Sequence, residues 1–167
     1  AAISGLNSAV QPTPVKPLNQ NALSDEQIRP WLLEPVYNRL QSGQGDFLAE
    51  LRYTLSVFIS FSGIDYDQDE AAGDKLNAFI CWVQQVLTRY EGALIDLTIG
   101  DKGSYLYAVF GAPIAHDDDA IHALGAALDL REIPNELNHI APIKIGISQG
   151  QMRTGAYGSK QRHTYGV

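Results

Sequence analysis

ALIDLTIGDKGSYLYAVFGAP, residues 93–113, is the stretch from which the fold follows. Two runs rich in apolar and β-branched side chains, 93–99 and 104–110, flank Gly100-Asp101-Lys102-Gly103. Two glycines around an Asp supply the positive φ angles of a tight turn, so the stretch reads as a β-hairpin. Gly111-Ala112-Pro113 closes it, because proline cannot donate to a ladder.

Working outward, residues 51–61 carry Tyr53, Leu55, Val57, Phe58, Ile59 and Phe61 and read as a buried strand that Ser62-Gly63 breaks. An acidic stretch from Asp65 to Glu70 then leads into a helix over about residues 69–90. Its apolar stripe is Leu76, Phe79, Ile80, Val83, Leu87 and Tyr90, ended by Glu91-Gly92. Downstream of the hairpin, His116-Asp117-Asp118-Asp119 opens another helix, with carboxylates at the positive end of its dipole. Ala120, Leu124, Ala127 and Leu128 are expected to face inward. Ile143, Ile145 and Ile147 alternate with Lys144, Gly146 and Ser148 as in a half-buried strand, and 149–167 reads as a further hairpin. The order β-α-β-β-α-β is the ferredoxin-like α+β arrangement, an antiparallel sheet with helices on one face, plus a C-terminal hairpin.

The segment ahead of this block differs in character. Residues 1–23 hold Pro12, Pro14 and Pro17 without a sustained period and read as a flexible lead-in. Ser24-Asp25-Glu26-Gln27 is a capping box, and the short helical extension it opens, over 24–49, is interrupted at Pro30 and Pro35 and ends at Ser42-Gly43. The main domain is expected over 50–167.

Composition narrows the function. A chain of 167 residues fits one domain that needs neither disulfides nor a structural metal. Its net charge of −7 disfavours a nucleic-acid footprint. No run approaches the roughly 18 apolar residues of a membrane span, and no signal peptide opens the chain. The single Cys81 sits in an amphipathic run as a small apolar residue would, which points to a reducing, cytoplasmic setting. Asp65, Asp67 and Asp69 imitate the start of an EF-hand, yet Glu70 stands where Gly is required and Leu76 where the bidentate Glu belongs. His116 with Asp117–Asp119 reads as capping, since consecutive helical residues do not converge on one ion. No phosphate loop or dinucleotide fingerprint occurs, and neither serine of Ser60-Phe61-Ser62-Gly63 has the glycine a nucleophile elbow needs. Lys144, Arg153, Lys160 and Arg162 make either a local basic patch or scattered solvated charge.

The order of short segments is more telling than any one of them. Val57-Phe58-Ile59-Ser60-Phe61-Ser62-Gly63 resembles the first strand of class III adenylyl/guanylyl cyclases, which ends in Asp followed by Ile-Ser-Gly-Phe. Tyr90-Glu91-Gly92 resembles the Tyr-Gly-Gly after that family's first long helix. Ala108-Val109-Phe110-Gly111-Ala112-Pro113 and Ala115-His116-Asp117-Asp118-Asp119-Ala120 resemble its Phe-Gly-Ala-Pro and His-Glu-Asp-Asp-Ala block. Ile145-Gly146-Ile147-Ser148-x-Gly150 and Gly158-Ser159-x-x-Arg162-x-x-Tyr165 resemble its late strand and hairpin. The match covers about residues 50–167, and 43–52 are similar to the lead-in of bacterial cyclase domains fused to ATPase and repeat regions.

That resemblance implies head-to-tail pairing with another cyclase domain and ATP or GTP between the two. It also implies two Asp residues holding two Mg²⁺ or Mn²⁺ ions. Carried over, the first Asp falls on Ser60. The second falls on Ser104 counting back from Phe110, or on Asp101 counting forward from Gly92. The purine-selecting Lys falls on Leu97 or Gly100 and its Asp/Thr partner on Gly166, while the transition-state Asn and Arg fall beyond Val167. Asp101 is the one candidate metal carboxylate, and a single carboxylate does not make a two-metal site. The expectation is therefore a degenerate cyclase homology domain acting as a regulatory or dimerisation partner. The alternatives are a functioning cyclase half, and a nucleotide- or anion-binding module without catalysis.

Overall fold

The computed structural model describes residues 19, 22–43, 50–100, 103–159 and 162–167. It divides into two compact units, Ala1–Leu32 and Leu33–Val167. In the first, Ser24 caps helix α1 (Asp25–Ile28), with the reciprocal Gln27 side chain bonded to the Ser24 backbone, and a 3₁₀ turn, Arg29–Trp31, follows. In the second, α2 (Glu34–Gln41) has Pro35 in its first turn and stops before Gly43, whose φ is +74°. The helical extension is thus shared between the units.

The rest of the second unit runs β1 (Glu50–Phe61), α3 (Ala72–Arg89), β2 (Ala93–Gly100), β3 (Gly103–Phe110), α4 (Asp119–Arg131), a 3₁₀ turn at Asn135–Leu137, β4 (Lys144–Ser159) and β5 (Arg162–Gly166). The sheet order is β2-β3-β1-β4-β5 and every neighbouring pair is antiparallel. The first four strands have the ferredoxin-like order, with β1 at the centre, its two edges paired with β3 and β4. Alternation along β1 sends Leu55, Val57, Ile59 and Phe61 to the face covered by helices, where they meet Phe79, Val83, Val86 and Leu87 of α3. Each such side chain contributes about 1.5–3 kcal/mol by leaving water.

Four differences from the sequence reading have physical causes. Helix α3 begins at Ala72, not near residue 69, because the Asp65 and Asp69 carboxylates accept backbone N–H groups from Asp67, Gln68 and Ala71 in local turns. Helix α4 is rotated. It buries Ala123, Ala126 and Leu130 and leaves Ala120 exposed, with Leu124 58% and Leu128 62% exposed and Ala127 half-buried. Being apolar all round, its pattern does not select a face, and close approach to α3 and the sheet does. A Cβ on Gly125 would lie 2.5 Å from the Tyr90 ring, so small residues must line that side. Strand β4 is a single run of 16 residues, pairing with β1 and then with β5, instead of a short strand followed by a separate hairpin. Cys81 is exposed on α3 and does not join the core. No helix among the described residues is long and apolar enough to cross a membrane.

Candidate functional site

The site expected from the resemblance lies where β1 ends. Beyond Phe61 the chain turns at Ser62-Gly63, and Gly63 has a φ of +108°, open only to glycine without strain. A Cβ there would meet the His139 carbonyl oxygen at 2.0 Å. The Ser62 carbonyl accepts the Ala141 N–H at 2.9 Å. This turn is therefore clamped against the segment that enters β4. Across from it the β2–β3 hairpin closes with Gly100 opposite Gly103. Between the two turns is a cleft of about 230 Å³ lined by residues that include Ser62, Gly63, Tyr66, Gly100 and Ser104.

Ser104 pairs with Phe61, is 8% exposed, and lies 3.4 Å from the Tyr66 hydroxyl. Ser60 is one register step away, between Tyr105 and Lys144, and is exposed. Because alternate residues of a strand face opposite ways, the two serines belong to opposite faces of the sheet. Leu97 pairs with Leu106, and Gly166 pairs with Gly155 against the Tyr157 ring. The fold thus brings Gly100 and Ser104 to one cleft, while Ser60, Leu97 and Gly166 lie outside its lining. Asp101 and Lys160 lie outside the described residues.

Ser60 and Ser104 by themselves do not suit two divalent ions. Hard cations need anionic oxygens, and these two positions offer neutral hydroxyls on opposite faces. The cross-strand neighbour of Ser60 is a lysine, which opposes a cation. Among the described residues no group of three His, Cys, Asp or Glu side chains could hold a metal ion. Asp119 makes a local bond ahead of α4, the His116 N–H donating to its carboxylate at 2.9 Å, while the N-cap residue Asp118 makes no side-chain cap hydrogen bond, so the capping expected of 117–119 is not what holds this turn.

The sequence left Lys144 as either part of a local basic patch or scattered charge, and did not single out Tyr66 or the aromatic face. On the side of the sheet away from the helices, Phe58 stacks on Tyr107 with centroids 4.8 Å apart and meets Tyr105 at 6.2 Å. The signal was present in alternation: Phe58 and Ser60 on β1, Tyr105 and Tyr107 on β3. The Tyr107 hydroxyl also donates to the Val167 carbonyl at 3.3 Å, so the chain end rests on part of this face. A second feature was hidden in Tyr90-Glu91-Gly92. Glu91 occupies a left-handed φ of +59°, and its carboxylate lies 3.4 Å from His122 Nδ1 and 3.7 Å from His116 Nε2. The neighbouring Tyr90 hydroxyl donates to Asp129, which raises its pKa.

Comparison with known proteins gives these features a context. No family model matches the chain. Adenylate cyclase type 10 of Rattus norvegicus is 28% identical over 142 residues, 84% of this chain and 9% of that protein. The chain therefore spans about a tenth of the length of the curated relatives it matches. The adenylyl cyclase CyaB of P. aeruginosa superposes with a TM-score of 0.62 at 19% identity, covering 71% of this chain and 66% of that one. A dimeric guanylyl cyclase domain of the RhoGC fusion protein from Blastocladiella emersonii gives 0.56 at 21% identity, covering 72% and 71%. The fold is thus that of class III adenylyl/guanylyl cyclase domains. In sequence the chain is similar to part of adenylate cyclase type 10, and in fold to cyclase domains.

Proposed function

We propose that this domain serves as a regulatory or dimerisation partner for another cyclase domain in cyclic-nucleotide signalling, and does not catalyse cyclisation alone. One observation carries the reading: Ser60 stands at the first position where a cyclase would anchor metal, and the second is Ser104 counted back from Phe110 or Asp101 counted forward from Gly92, so a pair of carboxylates is not offered. Ser104 is turned into a cleft beside Tyr66 and Ser60 is set opposite Lys144. The sheet and helices that would present a pairing surface are there, and one candidate carboxylate, Asp101, does not make a two-metal site. The Blastocladiella domain of this fold forms a non-canonical dimer, which supports association between such domains without fixing its geometry.

The test is a cyclase assay on the purified chain with ATP or GTP and Mg²⁺ or Mn²⁺, where no cyclic nucleotide is expected. Metal-dependent turnover that Asp101→Ala abolishes would overturn the reading in favour of a working cyclase half. Complementation of a cyclase domain lacking its own metal-binding Asp residues would do the same, because this chain would then be delivering the metals.

A further inference from the structure

Helix α4 carries apolar side chains on two opposite sides, and one of them faces away from the domain. Ala123, Ala126 and Leu130 are buried, while Ile121, Leu124 and Leu128 are 70%, 58% and 62% exposed. Isolated apolar side chains on a surface need no explanation, but these three adjoin one another, because steps of three and four residues return to the same side of a helix. With Arg131, the last helical residue, they keep the 3.5-residue period of a helix–helix seam. Asp117 stands four residues ahead of Ile121, in the turn that leads into α4. Beside the stripe Ala120 is exposed and Ala127 half-buried, and such small side chains let a second helix approach to about 8–10 Å.

The charges at the ends of this stripe select what can cover it. Among the described residues Asp117 and Arg131 have no ion-pair partner, whereas Asp118 lies 3.2 Å from His122 and Asp129 lies 2.8 Å from Arg89. The stripe therefore runs from a carboxylate through three apolar side chains to a guanidinium. Laid antiparallel on a copy of itself, it meets its own complement: Asp117 faces Arg131, Ile121 faces Leu128, and Leu124 faces Leu124 on the twofold axis. A twofold interface demands this reciprocity of a surface. A parallel copy would instead set like charges against each other at both ends. An anionic membrane is disfavoured, since Asp117, Asp118, Asp129 and Glu132 flank the stripe in a chain of net charge −7.

We propose that α4 is an interaction surface for a second copy of this chain, packed antiparallel along Ile121, Leu124 and Leu128 with an Asp117–Arg131 bridge at each end. The apolar side chains of the two copies supply the driving force, and the bridges select direction and register. One helix laid on one helix is at the small end of protein interfaces, under about 1,200 Å², so the dissociation constant is on the order of 100 μM. Helix α4 packs on the covered face of the sheet, against β1 and β3, so this association leaves the other face of the sheet unobstructed. It goes beyond the partner role proposed above, because the second copy binds on the helix side whatever domain the sheet meets.

The test is sedimentation velocity and light scattering of the chain from about 10 μM to about 1 mM, over which monomer should give way to dimer. Leu124→Asp should stay monomeric throughout, at an unchanged unfolding midpoint because the side chain is exposed. Asp117→Arg and Arg131→Asp should each weaken the dimer about tenfold, since each turns two attractions into repulsions. The double variant, and an equimolar mixture of the two single variants, should both regain the parent's affinity. A foreign partner or another face would not give that recovery. A chain still monomeric at about 1 mM would overturn the proposal and leave the stripe to a foreign helix. A dimer that Leu124→Asp does not dissociate, or a mixture no tighter than its components, would overturn it too by placing the contact elsewhere. None of these outcomes bears on the cyclase assay, so the two readings fail separately.

Discussion

Replacing Gly63 by alanine puts the clamp at the end of β1 to a quantitative test. The backbone there, at φ +108°, is in a region that costs a residue with a Cβ about 1–3 kcal/mol. The new methyl would sit 2.0 Å from the His139 carbonyl oxygen and 3.0 Å from the Ala141 nitrogen. Both are backbone atoms, which cannot swing aside as a long side chain would. The segment entering β4 must therefore shift, at about 1–3 kcal/mol for overpacking. Shifting it stretches the Ala141 N–H bond to the Ser62 carbonyl, a further loss of about 0.5–1.5 kcal/mol. The combined loss is about 3–7 kcal/mol, comparable to the whole stability of a small domain. Urea unfolding followed by circular dichroism reads it, with hydrogen exchange of the Ala141 amide as the local probe. Gly146→Ala is the control, since its Cβ meets nothing within 4 Å, and it should change stability by less than about 1 kcal/mol. A Gly63→Ala midpoint matching that control, with Ala141 exchange unchanged, would refute the clamp.

Two further outcomes follow from the packing and the charges. Leu130→Ala should cost about 2–5 kcal/mol, while Leu128→Lys should stay within roughly 0.5 kcal/mol of the parent in the same assay. The opposite ranking would mean α4 packs by the face its sequence first suggests. Asp69 accepts from the Lys75 ammonium at 2.7 Å and from the Ala71 N–H, which together hold its carboxyl below the ordinary 3.8. A lowered folded value contributes stability above the unfolded pKa and loses it as pH falls through the folded one, so the effect fades below about pH 4. Lys75→Met should flatten that acid limb between pH 5 and 3, and an unaltered pH profile would exclude the pairing.

Strands and order were legible because alternation and glycine-bounded turns are local: the hairpin at residues 93–110, the strand 51–61 and the α3 stripe all follow from periodicity. The face of α4 was not legible, since Ile121, Leu124 and Leu128 are as apolar as the residues it buries and only contact with Tyr90 selects between them. The serines could be placed by resemblance. Their separation onto opposite faces could not, because a single register step decides it. For Lys144 the sequence left a basic patch and scattered charge equally open; that it stands across from Ser60 is a relation 84 positions apart in the chain that only long-range pairing creates.

The unbroken run of β4 has a consequence for how this fold tolerates change. Its first residue stands opposite Ser60, and its last five carry the entire ladder to β5. At about 3.3 Å per residue it is a single rail roughly 50 Å long, with no loop to absorb a slip. One amino acid lost from its middle would turn every side chain on one half to the other surface, moving either Lys144 or the terminal hairpin out of place. A change of length in this strand is therefore expected to do more damage than most substitutions in it, and an insertion is expected to be borne better in the turns.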